Sequence, residues 1–253
     1  MRYVWPALGW LACLAVWQIL ADGIVRDPVL MPGSITILST AVGTAFDPQF
    51  WTHLLATLSE TAVATAVSLT IGGPVGLLLG TFQVLRRMFE APIDGLRSIP
   101  ATALFPLMLL VFGVGASTRI GIAVFGATFL SIVTVMYGAA AVDQDRLRHA
   151  RRAGFSAWAM MRHIVAWEAL PSLLAASRLA ISASLVLVVV AEMYIGANRG
   201  LGYLVTYYQA RYATPEMYAV IVLTGAAGYV ANRVFKLGET VAQRRTAVLR
   251  TGA

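Results

Sequence analysis

The amino-acid sequence predicts an all-α, polytopic membrane protein in which six transmembrane helices are joined on one side by short helices. Hydrophobic residues make up 58% of its 253 residues and charged residues only 12%, about half the charge of a soluble domain. Long apolar runs recur along the whole chain, and a helix needs about 20 apolar residues to cross the hydrocarbon core. These runs leave no room for a second domain, so we expect residues 1–253 to form a single transmembrane domain.

Six stretches are long and apolar enough to span a membrane. We interpret the first as an uncleaved helix and not as a signal peptide, because five more spans follow it and no A-x-A cleavage site is evident. The third is broken by prolines and glycines and is expected to be irregular at both ends. The segment Asp22–Glu60 is predicted to hold a turn, a short surface helix over Ile35–Phe46 and a second turn at Asp47-Pro48. The predicted spans are Trp5–Ala21, Thr61–Leu85, Ser98–Thr118, Ile120–Val142, Leu170–Ala191 and Met217–Val230.

The basic residues indicate how these spans are oriented. If the N-terminus is cytoplasmic, the inner segments hold 14 of the 19 basic residues, and the positive-inside rule then places both termini in the cytoplasm. Basic clusters beside apolar runs are typical of topology determinants, so the net charge of +7 does not indicate nucleic-acid binding. The predicted inner segments are Met1–Val4, Arg86–Arg97, Asp143–Ala169 and a basic tail, Arg233–Ala253.

Span two carries Gly72, Gly76 and Gly80 at a spacing of four residues. Small residues at this spacing let two helix backbones approach closely in lipid, where hydrophobicity supplies no drive for helix association. Packing within one subunit is favoured over an interface between subunits.

Charged residues at membrane depth are unfavourable, so each is a candidate for function. Glu192 at the end of span five is the most suggestive, either as part of a transport pathway or as a helix-end carboxylate with a local hydrogen-bond partner. Arg178 is interpreted as an inner-end charge whose head reaches the interface. The three histidines lack metal-ligand spacing, and the chain has neither a G-x4-G-K-[ST] loop nor a nucleophile elbow. We therefore expect no enzymatic activity, metal or cofactor in this chain.

The inner segment Asp143–Ala169 is predicted to form two short helices. Gly154 can end the first helix and Ser156 can cap the second, which runs to about Ala169. Pro171 then falls in the first turn of span five, where its missing N–H is harmless. A basic helix pair of this kind suits two roles equally, as a connector lying on anionic lipid or as a handle for a protein on the cytoplasmic side.

In this segment the chain resembles the membrane-spanning permease subunits of bacterial ABC importers. Their cytoplasmic signature is E-A-A-x3-G-x9-I-x-L-P, the loop that docks into the ATP-binding subunit. With Gly154 as the glycine, Arg148-His149-Ala150 stands at E-A-A, Ile164 matches the isoleucine, and Ala166-Trp167 stands at L-P. Leu170-Pro171 follows four residues later, like the second L-P pair found in the branch for nitrate, sulfonate and taurine.

Other stretches are similar to the same branch. Pro92–Pro100 resembles its entry into span three, and Ala191-Glu192-Met193, followed by Gly200-Leu201-Gly202-Tyr203, resembles the end of its span five. The resemblance covers about residues 28–235. The chain departs from the pattern at Arg148, where the motif has glutamate, and at Glu60-Thr61, where the branch usually has an arginine.

The resemblance implies a permease subunit of an ATP-driven importer for a small anionic solute of the sulfonate, nitrate or taurine kind. Its partners would be two copies of an ATP-binding subunit that holds ATP and Mg²⁺, a second permease that is identical or related, and an extracytoplasmic solute-binding protein. The location would be the bacterial inner membrane. The implied docking residues are Arg148, His149, Ala150, Arg151, Arg152, Gly154, Phe155, Trp158, Ile164, Leu170 and Pro171. Candidate pathway residues are Ser98, Pro100, Ser182, Ser184, Glu192 and Met193.

Two other functions remain open on the sequence. A secondary transporter or channel would need no ATP-binding partner, and its flux would follow an ion gradient. A membrane scaffold would carry no solute, although the broken third span argues against a passive anchor. ATP dependence separates the importer from the secondary transporter, and solute flux separates both from the scaffold.

Overall fold

The computed structural model describes the backbone of residues 4–251 and the side chains of residue 5 and residues 8–236. Arg2 of the predicted inner N-terminus and Arg244, Arg245 and Arg250 of the predicted basic tail lie outside the described side chains. The helices of the first half are α1 (Val4–Ile19, continued by a π-helical segment over Leu20–Val25), α2 (Ser34–Phe46), α3 (Pro48–Thr81), α4 (Gln83–Arg97), α5 (Phe105–Phe112) and α6 (Ala116–Ala140). Those of the second half are α7 (Gln144–Arg152), α8 (Ala157–Met160), α9 (Ala166–Glu168), α10 (Leu170–Tyr194), α11 (Leu201–Gln209) and α12 (Thr214–Thr251).

The described residues confirm an all-α membrane fold. Five helical stretches are long and apolar enough to cross a membrane, and a sixth span results if α4 and the following segment Ala101–Phe112 are counted together. These two are bent by 79° at Ser98–Pro100. Ala101–Phe112 is shorter than the roughly 20 residues that a straight crossing needs, in agreement with an irregular third span.

The start of the second span was predicted wrongly. Asp47-Pro48, interpreted as a turn, is the helix start itself: the Asp47 carboxylate accepts from the Gln49 N–H at 2.9 Å and Pro48 occupies the first turn. Helix α3 therefore includes residues assigned to the outer loop, among them His53 and Thr57. It ends at Thr81 because Phe82 is extended, and the predicted inner loop Arg86–Arg97 is instead part of the amphipathic helix α4.

The core forms where α3 and α6 run parallel in close contact, with α10 packed across both. A Cβ added at Gly72 would lie 2.7 Å from the Ser131 Cβ, and one at Gly76 would lie 2.6 Å from the Ile132 carbonyl oxygen. The two backbones therefore approach to a distance that only glycine permits. The glycine spacing in span two serves packing within the subunit, as the sequence favoured.

We expect Gly76→Ala to lower the free energy of unfolding by about 1–3 kcal/mol, because the new methyl group would clash with a backbone carbonyl that is held in place by helix α6. Unfolding in mixed micelles measures the change. Gly43→Ala on α2 is the control, since a Cβ there meets nothing within 4 Å. An equal effect of the two substitutions would contradict the close α3–α6 contact.

Candidate functional site

The loop between α6 and α10, which we call the inner loop after its predicted side of the membrane, contains a break in the backbone at Gly154. The N–H of Gly154 donates to the Arg151 carbonyl and that of Phe155 to the Ala150 carbonyl, both at 3.1 Å, which is the hydrogen-bond pattern of a Schellman motif. Gly154 has a φ of +84°, a conformation that disfavours a side chain. The next helix begins at once, because the Ser156 hydroxyl accepts from the Ala159 N–H at 3.2 Å.

The second half of the loop is fixed to the membrane spans. Val165 and Ala169 are buried against Ala139 and Val142 at the end of α6. Between α8 and α9 the helix continues through a π-helical turn over Met161–Val165. The sequence did not predict this turn. An ion pair between Arg146 and Glu168 joins the first helix of the loop to its last turn. The loop is therefore tied to the end of α6 and leads directly into α10.

The tip of the loop is exposed and carries aromatic and cationic groups. Phe155 is 45% exposed and Trp158 is 60% exposed, so two large apolar side chains are available for contact at one point of the loop. Arg148 pairs with Asp145 one turn earlier. Of the other implied docking residues, His149, Arg151, Arg152 and Gly154 are exposed, and Ala150, Ile164, Leu170 and Pro171 are half-buried.

A second polar cluster lies at the opposite end of the same spans. The Glu192 carboxylate, 1% exposed, accepts from the Thr57 hydroxyl at 2.8 Å and from the Gly202 N–H at 2.8 Å. This is the local bonding that the sequence left open as one alternative for Glu192. Thr57 Oγ1 in turn accepts from the Leu201 N–H at 2.8 Å, and His53 Nδ1 accepts from the Gly200 N–H at 3.1 Å.

These bonds cap the N-terminus of α11 with side chains of other helices. The first N–H groups of a helix have no partner within it, and here three successive ones are satisfied by side chains of α3 and α10. Gly200 has a φ of +132°, and a Cβ there would overlap the Glu192 carboxylate. We refer to Glu192, Thr57 and His53, with the α11 N-terminus, as the outer latch, after the side of the membrane on which the sequence predicts them.

An ion pair extends the polar region beside the outer latch. Arg119 Nε donates to Glu60 Oε2 at 2.9 Å, and the second guanidinium nitrogen contacts the other carboxylate oxygen. Both side chains are largely buried, so the pair joins α3 to the start of α6. Sequence reasoning missed this pair and Thr57. The sequence did contain a signal: the acidic Glu60 precedes span two and the basic Arg119 precedes span four, both at ends predicted to be outer.

The pathway candidates do not share one surface of this subunit. Ser98 and Pro100 lie at the bend after α4, whereas Glu192 belongs to the outer latch. Met193 packs against the cluster around Phe50 and Leu54.

The two serines of α10 face different neighbours. Ser182 lines a groove beside α12. Ser184 is fully buried, and its hydroxyl has no hydrogen-bond partner among the described residues. A role of these six residues in transport stays a prediction.

Sequence comparison agrees with this geometry. The family model described as "binding-protein-dependent transport system inner membrane component" matches residues 72–248. The chain belongs to this family. It is a multi-pass permease subunit and is not itself a catalytic component. The resemblance drawn from the loop around Gly154 is thereby confirmed.

Relatives and solved structures are similar to this permease over most of its length. The taurine transport system permease protein of Escherichia coli is 28% identical over 261 residues, which cover 97% of this chain and 92% of that protein. A putative aliphatic sulfonates transport permease of the same organism is 28% identical over 223 residues, 87% of this chain and 83% of that protein. An inward-facing methionine ABC transporter superposes with a TM-score of 0.69 at 22% identity, covering 78% of this chain and 98% of that chain, and shares the fold.

We expect Thr57→Val to lower the free energy of unfolding of this permease by about 1–3 kcal/mol, since it leaves the buried Leu201 N–H without its acceptor and the Glu192 carboxylate with the Gly202 N–H alone. Hydrogen exchange in α11 should accelerate in parallel. Thr70→Val is the control, because among the described residues the exposed Thr70 hydroxyl bonds only to the Val67 carbonyl of its own helix. Unchanged exchange in α11 would rule out the outer latch as its N-terminal cap.

Proposed function

We propose that this permease forms the membrane pathway of an ATP-driven importer for a small anionic solute of the taurine or sulfonate kind. Two ATP-binding subunits, which hold ATP and Mg²⁺, dock on the loops formed by residues 148–171 of two permease copies, identical or related. An extracytoplasmic binding protein delivers the solute. Both termini lie in the cytoplasm, in accord with the distribution of arginines.

The observation that carries this proposal is the exposed tip of the inner loop, whose second half is packed against the end of α6. A connector that only rests on lipid does not need a backbone-defined break, a capped second helix and two exposed aromatic side chains at one point. Aromatic and arginine side chains are enriched at the centres of protein interfaces. Phe155 and Trp158 therefore supply apolar contact with the ATP-binding subunit, and Arg151 and Arg152 orient it.

The solute class is taken from relatives and not from a binding site. Two similar permeases are named for taurine and for aliphatic sulfonates. Both solutes are small and carry a sulfonate group. The described pathway candidates form no cage for such a group within one subunit, so we assign most of the selectivity to the binding protein.

In this fold the docking loop is joined directly to α10, so a movement of the ATP-binding subunit is transmitted to the helices of the pathway. When the ATP-binding subunits close, each pulls on a loop that continues at Pro171 into α10. The other end of α10 carries Glu192, so a displacement of α10 reaches the outer latch and α11. ATP and the solute each shift the equilibrium between two conformations of these connected helices. The bend at Ser98–Pro100 is a place where span three can change its angle.

A secondary transporter without an ATP-binding partner is the alternative. It has no use for an exposed aromatic tip on the inner side, and no described observation favours it. ATP dependence of uptake is the property that distinguishes the two.

We expect Gly154→Asp to leave membrane insertion intact and to abolish both transport and co-purification of the ATP-binding subunit. Aspartate is strained at a φ of +84°, so the Schellman stop and the placement of Phe155 are lost together. Pull-down of the tagged permease in a gentle detergent, followed by an ATPase assay, measures the effect. Gly95→Asp is the control, because Gly95 lies on the same side in the exposed part of α4 and its added Cβ meets nothing within 4 Å.

A stoichiometric ATP-binding subunit on the Gly154→Asp variant would refute docking at this loop. An ATPase-free oligomer from the unmodified protein, with flux that follows an ion gradient, would support the secondary transporter.

We expect Trp158→Ala to weaken retention of the ATP-binding subunit at least tenfold, as for an aromatic residue at the centre of an interface. Trp167→Ala is a matched control, because Trp167 is equally exposed at 65% but lies at the membrane end of the loop. Retention is measured by titrating the purified ATP-binding subunit onto the immobilised permease. Equal losses for both variants would place the contact elsewhere on the loop.

A further inference from the structure

Helix α4 (Gln83–Arg97) has two opposite faces, one apolar and one charged. At 100° per residue the apolar side chains fall within an arc of about 140°, and the charged ones within an arc of about 100° on the opposite side. The apolar face is exposed along its length, with Val84 at 72% and Met88 at 62%. It includes Val84, Leu85, Met88, Phe89, Pro92 and Leu96, and the charged face is formed by Arg86, Arg87, Glu90, Asp94 and Arg97.

The contacts of α4 with the bundle determine where these two faces point. Ile93 is buried against Leu79 of α3 and Met136 of α6, and the Glu90 carboxylate accepts from the Tyr137 hydroxyl at 3.1 Å. Ile93 lies about 110° around the helix from the centre of the apolar face. The bundle therefore contacts α4 from the side, and the apolar and charged faces lie on either side of that contact.

The chain holds α4 at the same end of the bundle as the inner loop. Only Phe82 separates it from the end of α3, and its first turn lines a cavity of about 600 Å³ together with Gln144 and Arg151. At its other end it is bent by 79° from Ala101–Phe112. A helix nearly at right angles to a membrane-crossing segment lies close to the plane of the membrane. Membrane segments on both sides in the chain thus keep α4 at the surface of the bilayer.

We propose that α4 lies in the inner interface of the bilayer, with its apolar face in the lipid and Arg86 and Arg87 at anionic headgroups. A helix with one apolar and one charged face takes this position, with its apolar side about 5–10 Å below the headgroups. Arg97 pairs with Asp94, whereas Arg86 and Arg87 make no ion pair among the described residues. Arginines at this level are attracted to anionic lipid. Because α4 leads into span three, the lipid contact holds the inner end of that span.

A protein partner fits the apolar face less well than lipid does. The side chains of this face contain no nitrogen or oxygen atom, whereas a protein interface carries about one hydrogen bond per 100–200 Å². The inner loop differs in this respect, because its exposed tip combines Phe155 and Trp158 with arginines. A second permease copy or the ATP-binding subunit on α4 is therefore treated as an outcome that the experiment must distinguish.

Site-directed spin labelling of the full-length permease tests the proposal. Cys13 is the only cysteine, so Cys13→Ser provides a background for Met88→Cys on the apolar face and for Arg87→Cys, its neighbour on the charged face. In vesicles of phosphatidylcholine and phosphatidylglycerol, we expect the label at position 88 to be accessible to oxygen, which concentrates in lipid, and shielded from a water-soluble nickel complex. The label at position 87 should show the reverse. Power-saturation electron paramagnetic resonance measures both accessibilities.

The role of the two arginines is tested by changing the lipid. Phosphatidylglycerol should move the label at position 88 deeper than it lies in phosphatidylcholine alone, and Arg86→Gln combined with Arg87→Gln should remove this difference. Arg162→Gln is the control, since it removes an exposed arginine that is not on α4. A difference between the lipids that survives the double substitution would overturn the assignment of these arginines to anionic headgroups.

Two results would overturn the lipid contact itself. Equal access of the nickel complex to both labels would place α4 in water. A label at position 88 that is shielded from both reagents would show that protein covers the apolar face, and shielding that disappears when the permease is diluted in the bilayer would identify a second copy. None of these measurements requires ATP or solute, so they test the lipid contact independently of transport.

Discussion

The close backbone contact between α3 and α6 is the constraint on which both functional regions depend. In lipid no hydrophobic drive brings two helices together, so their association rests on dispersion contacts that require small residues at the crossing. Gly72, Gly76 and Gly80 provide that contact over two helical turns. Because α3 and α6 are parallel, one interface sets the position of Thr57 at one end and of the supporting surface at Ala139 and Val142 at the other.

Charged side chains are arranged differently at the two ends of the α3–α6 pair. At the outer latch the buried Glu192 carboxylate accepts from Thr57 and Gly202, and beside it the Glu60 carboxylate is paired with Arg119. Hydrogen bonds and an opposite charge are the conditions under which a carboxylate is tolerated in a buried position. On the inner loop, in contrast, Arg148 is exposed and pairs with Asp145 three residues earlier. The glutamate of the family motif is thus replaced by a cation that is neutralised locally, and Arg151 and Arg152 make no ion pair among the described residues. An ATP-binding subunit that fits this loop would present an acidic surface to them.

The sequence was sufficient for features that local chemistry determines. Gly154, Ser156 and Pro171 each act within one or two turns, and so the breaks of the inner loop could be predicted residue by residue. The glycine spacing likewise identified the packed face of span two. Local signals were misleading at Asp47-Pro48, because an Asp-Pro pair suits both a turn and a helix start.

The contacts that the sequence could not reveal join residues far apart in the chain. Thr57 and Glu192 are separated by 135 positions and Glu60 and Arg119 by 59. Hydrophobic patterns say which residues face a neighbour, but they do not say which helix the neighbour is. Glu192 was recognised as a charge in an unusual place, and its partners became visible only once α3, α10 and α11 were placed together.

The external capping of α11 has a consequence for how the protein is made. The capping groups all belong to α3 and α10, which precede α11 in the chain, so the first turn of α11 gains these bonds only after those two spans have met. Until then its first N–H groups can bond only to water, and the segment lacks this stabilisation. The order of one short helix thereby depends on the correct pairing of two membrane spans that lie far apart in the chain.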